Sequence, residues 1–150
     1  MASKSHLTAI GRKTLPRPTR WLLERGLVIG SVMDYGCGKC DKVNPPSWFN
    51  YDPHYQPNAN FGSERYDTII CNYVLCVLPP TERLDVLKHI QVLLRLNGVA
   101  YISVRNDKPR SGWGVTKRGT YQGRVGDLPL PGIYRCAGFR IYKLTKETQI

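Results

Sequence analysis

Short apolar runs closed by turn residues alternate along this chain with polar stretches rich in glycine and proline, and one segment sustains a helical period. Val32 to Cys40, VMDYGCGKC, opens as a short apolar strand running into Asp34 and then Gly36 and Gly38, as a strand entering a tight turn does. Trp48 to Asp52, WFNYD, reads as a second short strand, and Tyr66 to Cys71, YDTIIC, as a third. After Pro80 the pattern turns helical: Thr81 suits an N-cap, Glu82 and Asp85 lie where the helix dipole favours acids, and Val86, Leu87, Ile90, Leu93 and Leu94 share one face. Asn97-Gly98 predicts the end of that helix with two residues suited to positive φ. Val99 to Val104, VAYISV, is apolar with little alternation, the pattern of a parallel strand covered on both faces. Strand, helix and strand there predict a right-handed βαβ unit. Upstream, residues 17–27 (RPTRWLLERGL) predict a short amphipathic helix ending at Gly26, with Trp21 and Leu22 as core anchors. Tyr134 to Leu144, YRCAGFRIYKL, predicts a final strand or hairpin completing the sheet.

The order of elements predicts an α/β domain with a Rossmann-like sheet and helices on both faces. At 150 residues the chain suits a single domain. We divide it into a basic N-terminal arm and helix (1–30), a cofactor-binding core (31–105), and a basic loop with terminal strands (106–150). The interval from Asp52 to Tyr66 is too short and too rich in Pro, Asn and Gly for a full helix and strand, so one βα element is expected to be reduced to loop. No apolar run is long enough to span a bilayer and no signal-peptide pattern is present, which predicts a soluble, cytoplasmic protein without membrane contact.

The turn after the first strand carries the candidate chemistry. Asp34-Tyr35-Gly36-Cys37-Gly38 combines an acid, a strand end and a backbone free of side chains, which an adenosine-bearing cofactor needs for close approach. Asp41 stands where the dinucleotide fingerprint has its third glycine, and a negative charge there disfavours a pyrophosphate. Asp52 follows at roughly the twenty-residue distance from which an acid accepts a ribose hydroxyl; the alternative is that Asp52-Pro53 simply starts a turn. Asn72 and Tyr73 follow the third strand, where the plain reading makes Tyr73 core and Asn72 the cap of a turn.

An odd number of cysteines, five, fits reduced thiols better than a disulfide framework. Cys37 and Cys40 form a C-x-x-C, but no second pair completes a zinc site, so no metal is expected. His54 is either a base or an exposed turn residue, the latter favoured. The net charge of +11 concentrates in the arm (Lys4, Arg12, Lys13, Arg17, Arg20) and in the loop after Val104 (Arg105, Lys108, Arg110, Lys117, Arg118, Arg124). Such a basic rim collects phosphates, and Trp113 and Tyr121 within it suit stacking on an unpaired base. Lys13, Arg110, Trp113, Lys117 and Arg118 are therefore the candidate nucleic-acid contacts.

The Asp34-x-Gly36-x-Gly38 motif resembles the first motif of class I S-adenosylmethionine (SAM) methyltransferases. More specifically, Ala9-Ile10-x-Arg12, Leu15-x-x-Pro18, the DYGCG loop, Asp52-Pro53, residues 72–77 and the run from Gly114 to Gln122 resemble the methyltransferase domain of the phosphorothioation-associated DNA-modification methyltransferases. The resemblance implies a class I sheet, here shortened because those proteins are longer. It further implies SAM as cofactor, held by Asp34, Tyr35, Gly36, Cys37, Gly38, Asp52, Pro53 and Asn72, with Asn72 and Tyr73 orienting the acceptor. It points to methyl transfer to nucleic acid, with a partner protein supplying substrate recognition. Two other readings stand beside it: methylation of a small molecule or protein, and a SAM-binding regulatory module without turnover.

Overall fold

The computed structural model of the chain describes residues 13–57, 63–106, 114–115 and 121–150. Its centre is a six-stranded sheet. The strands are β1 (Val32–Tyr35), β2 (Phe49–Tyr51), β3 (Tyr66–Asn72), β4 (Leu94–Arg105), β7 (Gly132–Arg135) and β8 (Phe139–Leu144), in the order β2-β1-β3-β4-β8-β7. β5 (Gly114–Val115) and β6 (Tyr121–Gln122) form a separate two-stranded ribbon. β2, β1, β3 and β4 are parallel, and β8 enters antiparallel to β4 as one arm of the β7–β8 hairpin. The chain leaves β1 to one side for β2 and returns to its other side for β3. The order therefore reverses at β1, and open α/β sheets bind ligands beyond the carboxyl ends of the strands at such a point.

Alternate residues of each central strand enter two different cores, because successive side chains point to opposite faces. On one face Val32, Ile70, Tyr101, Phe139 and Ile141 pack with Leu22 of helix α1 (Arg17–Glu24). On the other, Met33, Ile69, Cys71, Ala100 and Ile102 pack with Leu87, Ile90 and Leu93 of helix α2 (Pro80–Leu93). The sheet is thus covered on both faces, as its apolar runs predict. Trp21 stacks on Tyr134 with ring centroids 4.4 Å apart and carries the Arg25 guanidinium on its ring, which binds α1 to β7.

Helix α1 ends as predicted. Gly26 has φ 67°, its N–H donates to the Leu23 carbonyl, and the Leu27 N–H donates to that of Leu22, the paired bonds of a Schellman cap. Helix α2 departs from expectation at both ends. Pro79 is the N-cap and Pro80 the first helical residue, so Thr81 caps nothing and Asp85 lies beyond the first turn. At its far end the helix stops at Leu93, and Leu94 already pairs with Tyr66 in the sheet. β4 then bulges, advancing from Leu94 to Val99 while β3 advances from Tyr66 to Thr68. Asn97 takes φ 67° in this bulge. Gly98 is needed for close approach instead, since a Cβ there would lie 2.8 Å from the Tyr66 carbonyl oxygen.

The crossovers are trimmed more than the sequence pattern predicts. Among the described residues no helix or paired strand lies between β2 and β3, where Asp52 and Gln56 close a small turn by exchanging backbone hydrogen bonds. The connection from β1 to β2 is also reduced, to a single 3-10 turn at Cys40–Lys42.

Candidate cofactor site

The glycine turn is built where β1 and β2 end side by side. The Tyr51 carbonyl accepts from the N–H groups of both Gly36 (2.8 Å) and Cys37 (2.9 Å), which pulls the chain sharply across the end of β2. Gly36 has φ 75° and Gly38 φ 56°, left-handed conformations that explain both glycines. Gly36 also has no room for a side chain, because a Cβ would collide with Cγ2 of Val74, beyond the end of β3.

Asp34 and Asp52 flank this turn, both buried. Asp34 Oδ2 accepts from Asn44 Nδ2 at 2.7 Å, and the same amide donates to Asn50 Oδ1 at 2.7 Å. Burial pushes the Asp34 carboxyl up to about 6; the Asn44 hydrogen bond pulls the other way and the charge of Asp52 adds to the rise. Asn44 Oδ1 is itself buried without a hydrogen-bond partner. A buried acid next to a second acid, with an orphaned acceptor close by, is chemistry that suits a cation.

Asp52 organises the loop around it. Its Oδ2 accepts from the Gly38 N–H at 2.9 Å, and its Oδ1 accepts from the backbone N–H groups of His54 (2.9 Å) and Tyr55 (3.1 Å). The turn reading of Asp52-Pro53 is therefore present, and a carboxylate with about four acceptor positions keeps one for a ligand hydroxyl. Pro53 and His54 are exposed on this turn, with the His54 ring edge-on to Tyr55. Tyr35 lies at the strand end only through its backbone. Its side chain enters the α2 face, where the hydroxyl is 2.7 Å from His89 Nδ1, so it leaves the pocket wall to others.

Cys37 and Cys40 are buried and form no disulfide. Burial, then the charges of Asp34 and Asp52, pushes the Cys37 thiol up, opposite to the activated thiolate of a redox pair. Among the described residues no cluster of His, Cys, Asp and Glu could hold a metal, and no helix is long and apolar enough to cross a membrane.

Asn72 and Tyr73 stand at the carboxyl end of β3, across the turn from Gly36. Asn72 Nδ2 donates to Thr19 Oγ1 at 2.7 Å, and Ser103 Oγ donates to Asn72 Oδ1 at 2.8 Å. The amide thus ties α1, β3 and β4 together, with Thr19 and Ser103 both buried. Asn72→Ala is expected to lower stability by about 2 kcal/mol, since it strands two buried hydroxyls; urea unfolding measures this, and an unchanged midpoint would show that the tie holds nothing. Tyr73 takes φ 60°, rare for an aromatic residue and worth about 1–3 kcal/mol of strain. Its N–H donates to the Ser103 carbonyl at 3.0 Å, and its half-buried ring packs against both cores. Such strain concentrates at functional sites, here beside the glycine turn.

Asn44, Thr19 and Ser103 were not expected at the site, whereas Val74 belongs to the run after the third strand that was. The first three are polar residues in a loop, a helix and an apolar strand, and only the tertiary fold brings them to the acids and to Asn72. Of the candidate nucleic-acid contacts, Lys13 is exposed just before α1, whereas Arg110, Trp113, Lys117 and Arg118 lie outside the described residues. The side chain of Tyr121 does too. Arg17 lies over the Phe139 ring at 5.3 Å, which places the basic start of α1 at the carboxyl edge of the sheet.

No family model matches the chain, and no curated protein does. Solved structures do. DhpI in complex with S-adenosylhomocysteine (SAH) superposes with a TM-score of 0.55 at 10% identity, covering 84% of this chain and 82% of that one. The magnesium protoporphyrin IX methyltransferase ChlM from Synechocystis PCC 6803 with bound SAH gives a TM-score of 0.48 at 17% identity, covering 84% and 78%. The fold is the Rossmann-like fold of SAM-dependent methyltransferases. The phosphorothioation-associated subtype is not among these findings.

Proposed function

We propose that the chain is a SAM-dependent methyltransferase whose acceptor is a nucleic acid. The observation that carries the cofactor reading is the buried Asp34 beside two glycines of positive φ, on a fold shared with DhpI, which was solved with SAH. Asp34 and Asn44 would accept from the amino group of the cofactor, the backbone of residues 36–38 would hold its methionine half, and Asp52 would take the ribose. Bound there, SAM supplies a methyl group already activated by its positive sulfonium. What remains for the protein is alignment. Tyr73, held out of the common backbone regions, shapes the wall where the acceptor enters, and Asn72 positions that wall through Thr19 and Ser103. Tyr35 supports β1 through His89, and Cys37 and Pro53 shape the two turns.

The charge of the chain supports the nucleic-acid acceptor: +11 overall, with Arg17 and Arg20 on the helix tied to Asn72. Neutralising Lys117 and Arg118 together is expected to weaken oligonucleotide binding and lower its salt slope by about 2, while SAM affinity stays unchanged. Fluorescence anisotropy across a salt series measures this, and equal losses for both ligands would assign these residues to the fold. Transfer of radiolabelled methyl groups into DNA and RNA pools tests the reaction itself. A small acidic acceptor is the second reading, favoured by an arginine-lined cavity on the β7–β8 hairpin. A partner protein that presents the substrate fits the trimmed crossovers.

A further inference from the structure

Arg140 is a charged residue only 9% exposed, on the strand inserted into the middle of the sheet's antiparallel half. Its Nη1 donates to the Tyr142 hydroxyl at 2.9 Å and to Asp127 Oδ1 at 3.2 Å, and its Nη2 donates to the Val125 carbonyl at 2.5 Å. Its Nε is buried and has no acceptor. The carboxylate that balances it, Asp127, is 95% exposed, a weak and replaceable counter-charge for a buried guanidinium. Arg135 is the cross-strand partner of Arg140 in the β7–β8 pairing, and two like charges opposite each other destabilise a hairpin unless an anion lies between them. Both arginines line a cavity of about 270 Å³, together with Gly132, Tyr142 and Asp127.

We propose that this cavity binds an oxyanion, a carboxylate or phosphate carried by a small molecule, with Arg140 and Arg135 as its ligands. The guanidinium fork matches both groups, and the exposed Arg135 opposite Arg140 adds a second cation to it. Arg140 pairs with Val104 near the carboxyl end of β4, two strands from β3 and so roughly 10 Å across the sheet from Asn72. The oxyanion site itself stands whether or not the chain transfers methyl groups.

The test follows the arginine Nε–H signals of the ¹⁵N-labelled chain during titration with inorganic phosphate and, separately, acetate, at ionic strength held constant with chloride. The Arg140 signal, assigned by its loss in Arg140→Lys, is expected to move saturably at millimolar anion. Whichever anion binds more tightly identifies phosphate or carboxylate as the natural group. Arg135→Gln is expected to weaken binding about tenfold. Gly132→Val is expected to weaken it by crowding the cavity, while the fold tolerates the change because a Cβ at Gly132 meets nothing nearer than Tyr142 Cε1 at 4.0 Å. No saturable movement with either anion, or affinity unchanged in both variants, would overturn the site.

Discussion

Asp34→Asn is expected to make the chain more stable at neutral pH and to cost it the cofactor. Burial raises the Asp34 carboxyl from 3.8 to about 6, so the native state holds this proton more tightly than the unfolded chain does. The sign follows directly. Below pH 4 the acid is neutral in both states and costs nothing; between 4 and 6 the native state binds more protons, so stability falls as pH rises; above 6 the full penalty, about 3 kcal/mol, is present. The asparagine keeps an acceptor for Asn44 and carries no charge, so its stability should not decline over that range. Thermal melts at pH 4 and pH 7 measure this: the variant should gain several degrees on the wild type between them. Equal pH dependence would mean that folding does not raise the Asp34 carboxyl above its ordinary value.

The same charge is what a cationic ligand repays. An amino group next to Asp34 stabilises the carboxylate, so binding releases a proton below about pH 6 and affinity rises with pH until the acid is fully ionised. Loss of a charge-assisted hydrogen bond predicts affinity lower by about tenfold to a hundredfold in the asparagine variant.

Gly36→Val should be more damaging, since two independent costs meet there. A β-branched residue at φ 75° is a backbone outlier, and its Cβ would occupy the space of the Val74 side chain. A destabilisation of about 3 kcal/mol or more, with cofactor binding lost, is the expected result. The two costs can be separated. In Gly36→Ala, adding Val74→Ala removes the collision but not the backbone strain, so the double variant should recover part of the stability in urea unfolding and none of the binding. Full recovery of both would mean that the left-handed turn at Gly36 is not needed.

The sheet was legible because its strands are short apolar runs with abrupt ends, and because a buried parallel strand such as 99–104 leaves a signal that few alternatives share. Gly26, Gly36 and Gly38 were legible because left-handed turns draw on so few residues. The ends of α2 were not. Proline at the first helical position competes with Thr81 for the start, and the end is set by Leu94 joining Tyr66 in the sheet, a tertiary contact that no local pattern encodes. The two acids beside the glycine turn were visible from their spacing, yet what Asp52 holds was not, since ribose acceptor and turn-former need the same residue. Tyr35 looked like part of the pocket because it sits between Asp34 and Gly36; the period of the strand sends its side chain to the other face, toward His89. Asn44, Thr19 and Ser103 carry no signal of their own, because a lone polar residue becomes part of a site only through the burial that surrounds it. Arg140 was hidden among many exposed cations, and only its position between β4 and β7 sets it apart.

Calorimetric titration with SAM and SAH of the wild-type chain and of Asp34→Asn, at pH 7, bears most directly on the cofactor site. A site built on Asp34 and the two left-handed glycines predicts micromolar binding of both ligands to the wild type and at least tenfold weaker binding to the variant. No binding to the folded wild type, or the same affinity in both proteins, would contradict it.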